Sequence, residues 1–391
     1  MGARSTRALM QPIRSKLPGV GTTIFTVMSR LAEQSGAINL SQGFPDFQPP
    51  GALLDLVSEH LQRGHNQYAP MAGISSLREQ IAEKTAALYG RKVDSDTEIT
   101  VTSGATEALF CAIHAVVRAG EQIIVFDPAY DSYEPAAALA GAETIHIPLC
   151  MPDFSIDWER LESALSPRVR LVIINSPHNP TGSILTREDL DRLAAMLADY
   201  DCYVVSDEVY EHIVFDGLGH ASVLAHPELA SRSFAVFSFG KTYHATGWKI
   251  GYCIAPAALT EEFRRVHQFN TFATVTPLQY ALADFLARGA AHHLGLASFY
   301  QQKRDFFVEA MRGSRFTMTP SRGTYFQLAE YASISDLPDH EFARLLTETH
   351  KVAVIPVTAF YKSPPDTRLV RFCFAKELAT LQTAAARLRE L

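Results

Sequence analysis

Short Val- and Ile-rich runs alternate with longer amphipathic stretches between about residue 98 and residue 255. Apolar runs of this length, bounded by Gly, Pro, Asn and Asp, read as strands. The pattern predicts seven of them, at Ile99–Thr102, Gln122–Phe126, Thr144–Pro148, Arg170–Asn175, Tyr203–Ser206, Phe234–Ser238 and Ile250–Ile254. A helical period runs through Ala105–Arg118, after the first strand, and through Arg187–Asp199, before the fifth. Strands without a polar face, separated by helices, predict an α/β fold with a mainly parallel sheet covered on both sides. Strand order in that sheet is not encoded in the pattern.

The rhythm changes after Pro256. Helices are predicted at Glu261–Phe269, Leu278–Arg288 and Phe299–Met311. A second mixed region follows, with a strand at Thr324–Leu328, a helix at Glu341–Thr349, strands at Ala353–Ile355 and Leu369–Phe374, and a helix at Glu377–Leu388. We therefore expect a large domain over residues 51–288 and a smaller α+β domain over 289–391. Residues 1–50 hold too little periodic apolar content to stand alone and are expected to pack on the small domain.

The chain has 391 residues, 47% hydrophobic and 20% charged, as in an ordinary soluble globular protein. A net charge of −7 and the lack of a basic stripe argue against a nucleic-acid surface. No apolar run is long enough to span a bilayer. Cys111, Cys150, Cys202, Cys253 and Cys373 are scattered, with no Cys-x-x-Cys pair. This disfavours a zinc site or a disulfide framework and suits a cytoplasmic location. At the N-terminus, Met1-Gly2-Ala3-Arg4-Ser5-Thr6 matches the loose myristoylation pattern. The first 32 residues carry Arg4, Arg7, Arg14, Lys16 and Arg30 with no acid, faintly like a transit peptide. The plainer reading is a tail that docks on the body or on a partner subunit.

The chemistry lies where the predicted strands end, the edge at which open α/β sheets collect ligands. Lys241 follows the apolar run Phe234–Phe237, and a lysine there must be solvated, paired or deprotonated; the neutral amine is a nucleophile. Thr102-Ser103-Gly104-Ala105-Thr106 opens a helix with small residues, either as an anion cradle or as a plain N-cap on Ser103. Tyr130 can lie flat on a planar ring or simply pack. Asn179, in Asn175-Ser176-Pro177-His178-Asn179-Pro180, either donates into the site or closes an Asx turn. His178 reads as a bystander. Asp207 at the mouth of an apolar strand needs a cationic or donor partner, either a protonated ring nitrogen or a nearby arginine. Gly240-Lys241-Thr242 is not a nucleotide phosphate loop, because Ala235 occupies the position of the first glycine. One ligand meets all the demands: planar, phosphorylated, with a basic ring nitrogen and a carbonyl. Pyridoxal 5′-phosphate has these features.

With Leu40-Ser41-Gln42-Gly43-Phe44-Pro45-Asp46-Phe47, Asn66-Gln67-Tyr68-Ala69-Pro70, Asn179-Pro180-Thr181-Gly182, Asp207-Glu208-Val209-Tyr210 and Arg371-Phe372-Cys373-Phe374-Ala375, the chain resembles the class I pyridoxal-phosphate aminotransferases of fold type I. The resemblance runs over roughly residues 20–390 and is closest to the methionine and kynurenine aminotransferase-like branch. It implies that Lys241 carries the cofactor, that Asp207 pairs with the ring nitrogen, and that Tyr210 and Asn179 bind the ring oxygen. It implies Tyr130 stacked on the ring, and Ser103, Gly104, Ala105, Thr106, Ser238 and Lys249 around the phosphate. Tyr68 would reach the phosphate of the partner in a homodimer. Arg371 would clamp the substrate carboxylate, assisted by Asn175 and the backbone of Gly43. Two positions depart from many class members: Lys249 stands where arginine is common, and Gly240 where serine is common.

Aspartate-specific relatives use a partner arginine for the second carboxylate, and the matching stretch 267–274 holds none. Ile24, Phe25, Phe44 and Tyr325 suggest an apolar or aromatic side-chain pocket. We therefore expect amino transfer from methionine, phenylalanine, tyrosine, glutamine or kynurenine-like amino acids to a 2-oxo acid. Cysteine-S-conjugate β-lyase chemistry is the alternative within enzymes. A non-catalytic regulatory domain is the alternative outside them, disfavoured by the short chain before Gly43. No metal is expected.

Overall fold

The computed structural model describes residues 13–391. The myristoylation-like hexapeptide lies outside them, as does Arg7 of the basic N-terminal run. The strands in chain order are β1 (Ile38–Asn39), β2 (Ile99–Thr102), β3 (Gln122–Asp127), β4 (Glu143–Pro148), β5 (Val169–Asn175), β6 (Tyr203–Asp207), β7 (Ser233–Ser238), β8 (Gly251–Ile254), β9 (Phe326–Glu330), β10 (Val352–Ala353), β11 (Ile355–Pro356) and β12 (Leu369–Cys373).

Seven of them form one sheet in the order β2-β8-β7-β6-β5-β3-β4. Every pairing is parallel except those of β8 with β2 and β7. The mainly parallel sheet expected from the apolar runs is thus present. Its central strands are buried along nearly their whole length, as two-sided coverage requires. Helix Ala105–Val116 springs from β2 and packs on one face, burying Leu109, Ala112, Ile113 and Val116. The other face is covered by a cluster that includes Leu77, Ile81, Leu190, Leu193, Leu197 and Leu282.

Register brings the strand ends level. Thr102 and Ser238 both pair with Gly251, Asp207 pairs with Val236, and Asn175 pairs with Asp207. Residues far apart in the chain therefore stand along one edge of the sheet.

A second core gathers β9, β11 and β12 into an antiparallel sheet of order β11-β12-β9. The segment before residue 50 joins it: β1 lies parallel to β10, and helix Ile24–Ser35 buries Met28 and Ala32. That helix is capped by Thr23 at its start and by Gly36 at φ +59 at its end.

The single strand expected at Ala353–Ile355 is divided. Val352–Ala353 pairs with β1, while Ile355–Pro356 pairs with β12. Helices at Gly51–Gln62 and Ser75–Tyr89 had no predicted counterpart. In the second, the buried side carries Arg78 and Thr85 beside Leu77 and Ile81, which breaks the apolar stripe that marks a helix.

Candidate active site

The row of strand ends opens onto a cavity of about 140 Å³. Its wall includes Gly104, Ala105, Thr106 and Lys249 on one side, Tyr130 and Asp207 on another, and Asn179, Tyr210, Ser238 and Lys241 around the rest.

The helix N-terminus at Ala105 is open. Its N-cap is Gly104, at φ +79, and no side chain accepts from the first turn. Ser103 does not cap the helix; its own backbone N–H instead donates to Glu107 Oε2 at 3.0 Å. Free N–H groups at a helix start attract an anion. Lys249 Nζ reaches Thr106 Oγ1 at 3.5 Å beside them. The approach needs glycines. A Cβ on Gly251 would lie 2.5 Å from Phe237 O and 2.9 Å from Ala105 N, so a side chain there would push the cradle out of line. A Cβ on Gly240 would sit 3.0 Å from Thr246 Cα, a tight contact that a serine there would relieve only by shifting that backbone.

Asp207 is buried, 4% exposed. It accepts from the Tyr133 hydroxyl at 2.7 Å and from Val209 N at 3.4 Å. The arginine partner considered above is absent: no cation among the described residues lies within salt-bridge reach of it. Burial pushes its pKa up to about 6, against the pull of the Tyr133 hydrogen bond. Neighbouring acids hold the loop after β6 in place. Glu208 accepts from Ser206 Oγ and pairs with His220, and Glu211 is enclosed by Lys84, Tyr89 and His212.

Lys241 Nζ donates to Tyr325 Oη at 3.0 Å and to Gly43 O at 3.3 Å. Burial lowers its pKa to about 8, so the neutral amine is within reach near neutral pH. Tyr210 is buried, with its ring edge-on to Tyr325 at 5.1 Å between centroids.

Arg371, on β12, is 1% exposed. Nη1 donates to Asn179 Oδ1 at 2.6 Å and Nη2 to Ser41 O at 3.0 Å, while Nε has no partner. Its guanidinium lies 3.9 Å from the Phe326 ring centroid, 5.1 Å from Phe360 and 5.5 Å from Phe25. Burial lowers its pKa to about 10. Arg371 stands one layer behind the cavity wall, joined to it by Asn179. Asn175 is a strut: its Nδ2 donates to Asp207 O at 2.8 Å and its Oδ1 accepts from Asn179 N at 2.9 Å.

Other sequence candidates lie elsewhere. Tyr325 is fully buried off the cavity, with its hydroxyl engaged. Phe44 is 44% exposed and packs under Lys376. Phe25 and Ile24 belong to the helix flanking Arg371. Gly43 presents its carbonyl to Lys241, and a Cβ there would meet the Phe326 ring at 2.9 Å. Tyr68 is 87% exposed and lies against Phe272, outside this chain's own cavity. His178 is buried against Thr181. The sequence pattern does not single out Tyr133, although it follows Tyr130 by three residues and opens the next helix.

The arrangement fits pyridoxal 5′-phosphate on charge alone. Asp207 is a buried carboxylate without a cation, and Lys249 and the open helix end form a cationic cradle without an anion. Arg371 is a buried cation without a carboxylate.

The model of the class I and II aminotransferases matches residues 35–388. Methionine aminotransferase of Escherichia coli K12 is 53% identical over 378 residues, covering 97% of this chain and 98% of that protein. Kynurenine–oxoglutarate transaminase 1 of Rattus norvegicus is 30% identical, covering 96% of this chain and 97% of that protein. A solved Escherichia coli structure, described as having a methionine aminotransferase function, superposes with a TM-score of 0.96 at 53% identity. It covers 98% of this chain and 100% of its own.

Proposed function

This chain belongs to the class I and II aminotransferases and is a pyridoxal-phosphate-dependent transaminase, and from that premise we propose that it transfers the amino group of neutral apolar or aromatic amino acids, methionine foremost, to 2-oxo acids. The observation that carries the reading is the set of three uncompensated charges around one cavity. The substrate preference rests on the likeness to methionine aminotransferase and on the lack of arginine in the stretch 267–274.

Pyridoxal 5′-phosphate, when bound, supplies an electrophilic carbon for the amine and a ring that takes up the electron pair left when the α-proton departs. In our reading the residues divide the remaining work. Lys241 holds the cofactor and, once freed, takes the α-proton and later returns it. Asp207 keeps the ring nitrogen protonated, which Tyr133 assists by stabilising the carboxylate. Asn179 has its oxygen engaged by Arg371, so its Nδ2 is the group left to donate to the ring oxygen, together with Tyr210. Tyr130 covers the ring face. Ser238, Lys249 and the N–H groups of Ala105 and Thr106 hold the phosphate. Arg371 takes the substrate carboxylate with its planar fork.

Two copies would complete each site, with Tyr68 crossing to the partner. Tyr68, Phe269, Phe272 and Val275 are each more than 40% exposed, and Tyr68 lies edge-on to Phe272, which suits apolar surface covered by a partner. The five free cysteines suit a reducing, cytoplasmic setting. No helix among the described residues is long and apolar enough to cross a membrane.

A panel of amino acids against several 2-oxo acids tests the reading. We expect the highest kcat/KM with methionine and aromatic donors; a higher value with aspartate would overturn the preference.

A further inference from the structure

Tyr325 was expected in the substrate's side-chain pocket, yet the structure sets it to another task. Its hydroxyl lies 2.6 Å from the Gly43 carbonyl and 3.0 Å from Lys241 Nζ, and Nζ itself lies 3.3 Å from the same carbonyl. A carbonyl oxygen only accepts, so Tyr325 must spend its single proton on Gly43. Its oxygen is left to accept from the lysine. Lys241 therefore faces two acceptors and no donor.

That count selects a direction. A neutral amine has two N–H groups and one lone pair. With both N–H groups engaged, the lone pair occupies the remaining direction. Neither Gly43 nor Tyr325 lines the cavity, whereas Lys241 does, so the remaining direction is the cavity. A third N–H, as in the ammonium ion, would point there too.

The acceptor is rigid. The Tyr325 ring meets Tyr210 edge-on at 5.1 Å, Tyr300 at 5.6 Å and Phe326 at 4.9 Å between centroids, and it is fully buried. The preceding residue, Thr324, holds φ +63, a conformation a β-branched side chain adopts only when its surroundings force it. Thr324 N donates to Ile213 O at 2.9 Å, and its Oγ1 accepts from Phe326 N at 3.1 Å.

We propose that the Tyr325 hydroxyl and the Gly43 carbonyl form a dock for the free Lys241 amine, which aims its lone pair into the cavity, so that Tyr325 is a positioning residue for proton transfer. The inference rests on the aminotransferase reading above. In the step it serves, the α-proton of the substrate moves to Nζ, turning the amine into an ammonium ion. The C–H electron pair stays behind in the sink already described. The new N–H points at the carbon it came from and can be returned, while the dock keeps the other two.

The test is Tyr325→Phe in the holoenzyme, which preserves the ring and removes the acceptor. We expect visible cofactor absorbance at the wild-type level and KM for methionine within about twofold. With one hydrogen bond lost, kcat should fall about tenfold. The α-deuterium isotope effect on kcat should rise, because proton transfer has been slowed selectively. Wild-type kcat, or a fall in kcat with an unchanged isotope effect, would overturn the proposal. Should the variant load less cofactor, single-turnover rates on the loaded fraction give the same comparison. Crystal structures of the cofactor-free wild type and variant supply a readout independent of turnover. Nζ should leave the Gly43 carbonyl in Y325F, and an unmoved Nζ sinks the idea. A wild-type protein without cofactor absorbance or transamination would instead remove the underlying reading.

Discussion

Tyr133→Phe isolates the one side-chain hydrogen bond to the buried carboxylate of Asp207. The hydroxyl donates at 2.7 Å, and the only other donor among the described residues, Val209 N, is long at 3.4 Å. A hydrogen bond to a charged group contributes about 1.5–3 kcal/mol, and about 1.4 kcal/mol moves a pKa by one unit. Loss of the hydroxyl should therefore raise the Asp207 pKa from about 6 to about 7–8. At pH 7 the carboxylate would change from mostly ionised to half-ionised or less. A protonated Asp207 cannot pair with a cationic ring nitrogen, so cofactor affinity should weaken on the acid side. The assay is the dissociation constant of pyridoxal 5′-phosphate against pH for both proteins. The cofactor's own ionisations are common to both profiles and drop out of their difference. We expect the acid limb of the variant about 1–2 pH units higher, with similar affinity at high pH. Superimposable limbs would show that the hydroxyl does not stabilise the ionised carboxylate, and the assignment of Asp207 would lose its main support.

Four further outcomes follow from the geometry. Arg371→Lys keeps a charge but loses the fork held by Asn179 and Ser41, and should lower kcat/KM for methionine about a hundredfold, read from initial rates. Gly251→Ala places a methyl 2.9 Å from Ala105 N; the overpacking should cost about 1–3 kcal/mol in a denaturant titration and weaken cofactor binding as well. Lys241→Ala should bind the cofactor without the covalent linkage, and a persisting protein-linked absorbance would refute its role. In cofactor-free protein the Asp207 pKa of about 6 lies above the unfolded value near 3.9. The folded state then holds the extra proton between these values, and stability falls as pH rises from about 4 to about 6, by about 3 kcal/mol from this group. Comparing denaturant midpoints of wild type and Asp207→Asn across that window isolates the contribution.

The large sheet was legible because its strands are buried on both faces and are punctuated by turn residues. The candidate residues were legible for a related reason, since they sit where apolar runs stop. Interactions between side chains were not. Nothing in Tyr130-Asp131-Ser132-Tyr133 says that the second tyrosine turns toward Asp207, because the placing of β3 and β6 on either side of β5 depends on strand order. Ser103 looked like a helix cap, but Gly104 takes that place with a left-handed backbone. Tyr325 looked like a pocket wall because an aromatic ring advertises area, while its hydroxyl decides its position. The helix Ser75–Tyr89 stayed hidden because a buried arginine, satisfied by Gly73 O and Asp96, occupies its apolar side.

One feature of the site divides the ligand between two bodies. Arg371, the proposed receptor for the substrate carboxylate, rides on β12 of the small sheet, while Asp207 and the anion cradle belong to the large one. An amino acid seated in this cleft becomes a tether between them, its carboxylate moored on one side and its nitrogen on the other. An amine lacking the carboxylate would bring the same reactive nitrogen with no mooring line. On that assignment the enzyme would tell an amino acid from its decarboxylated amine by a span rather than by a shape.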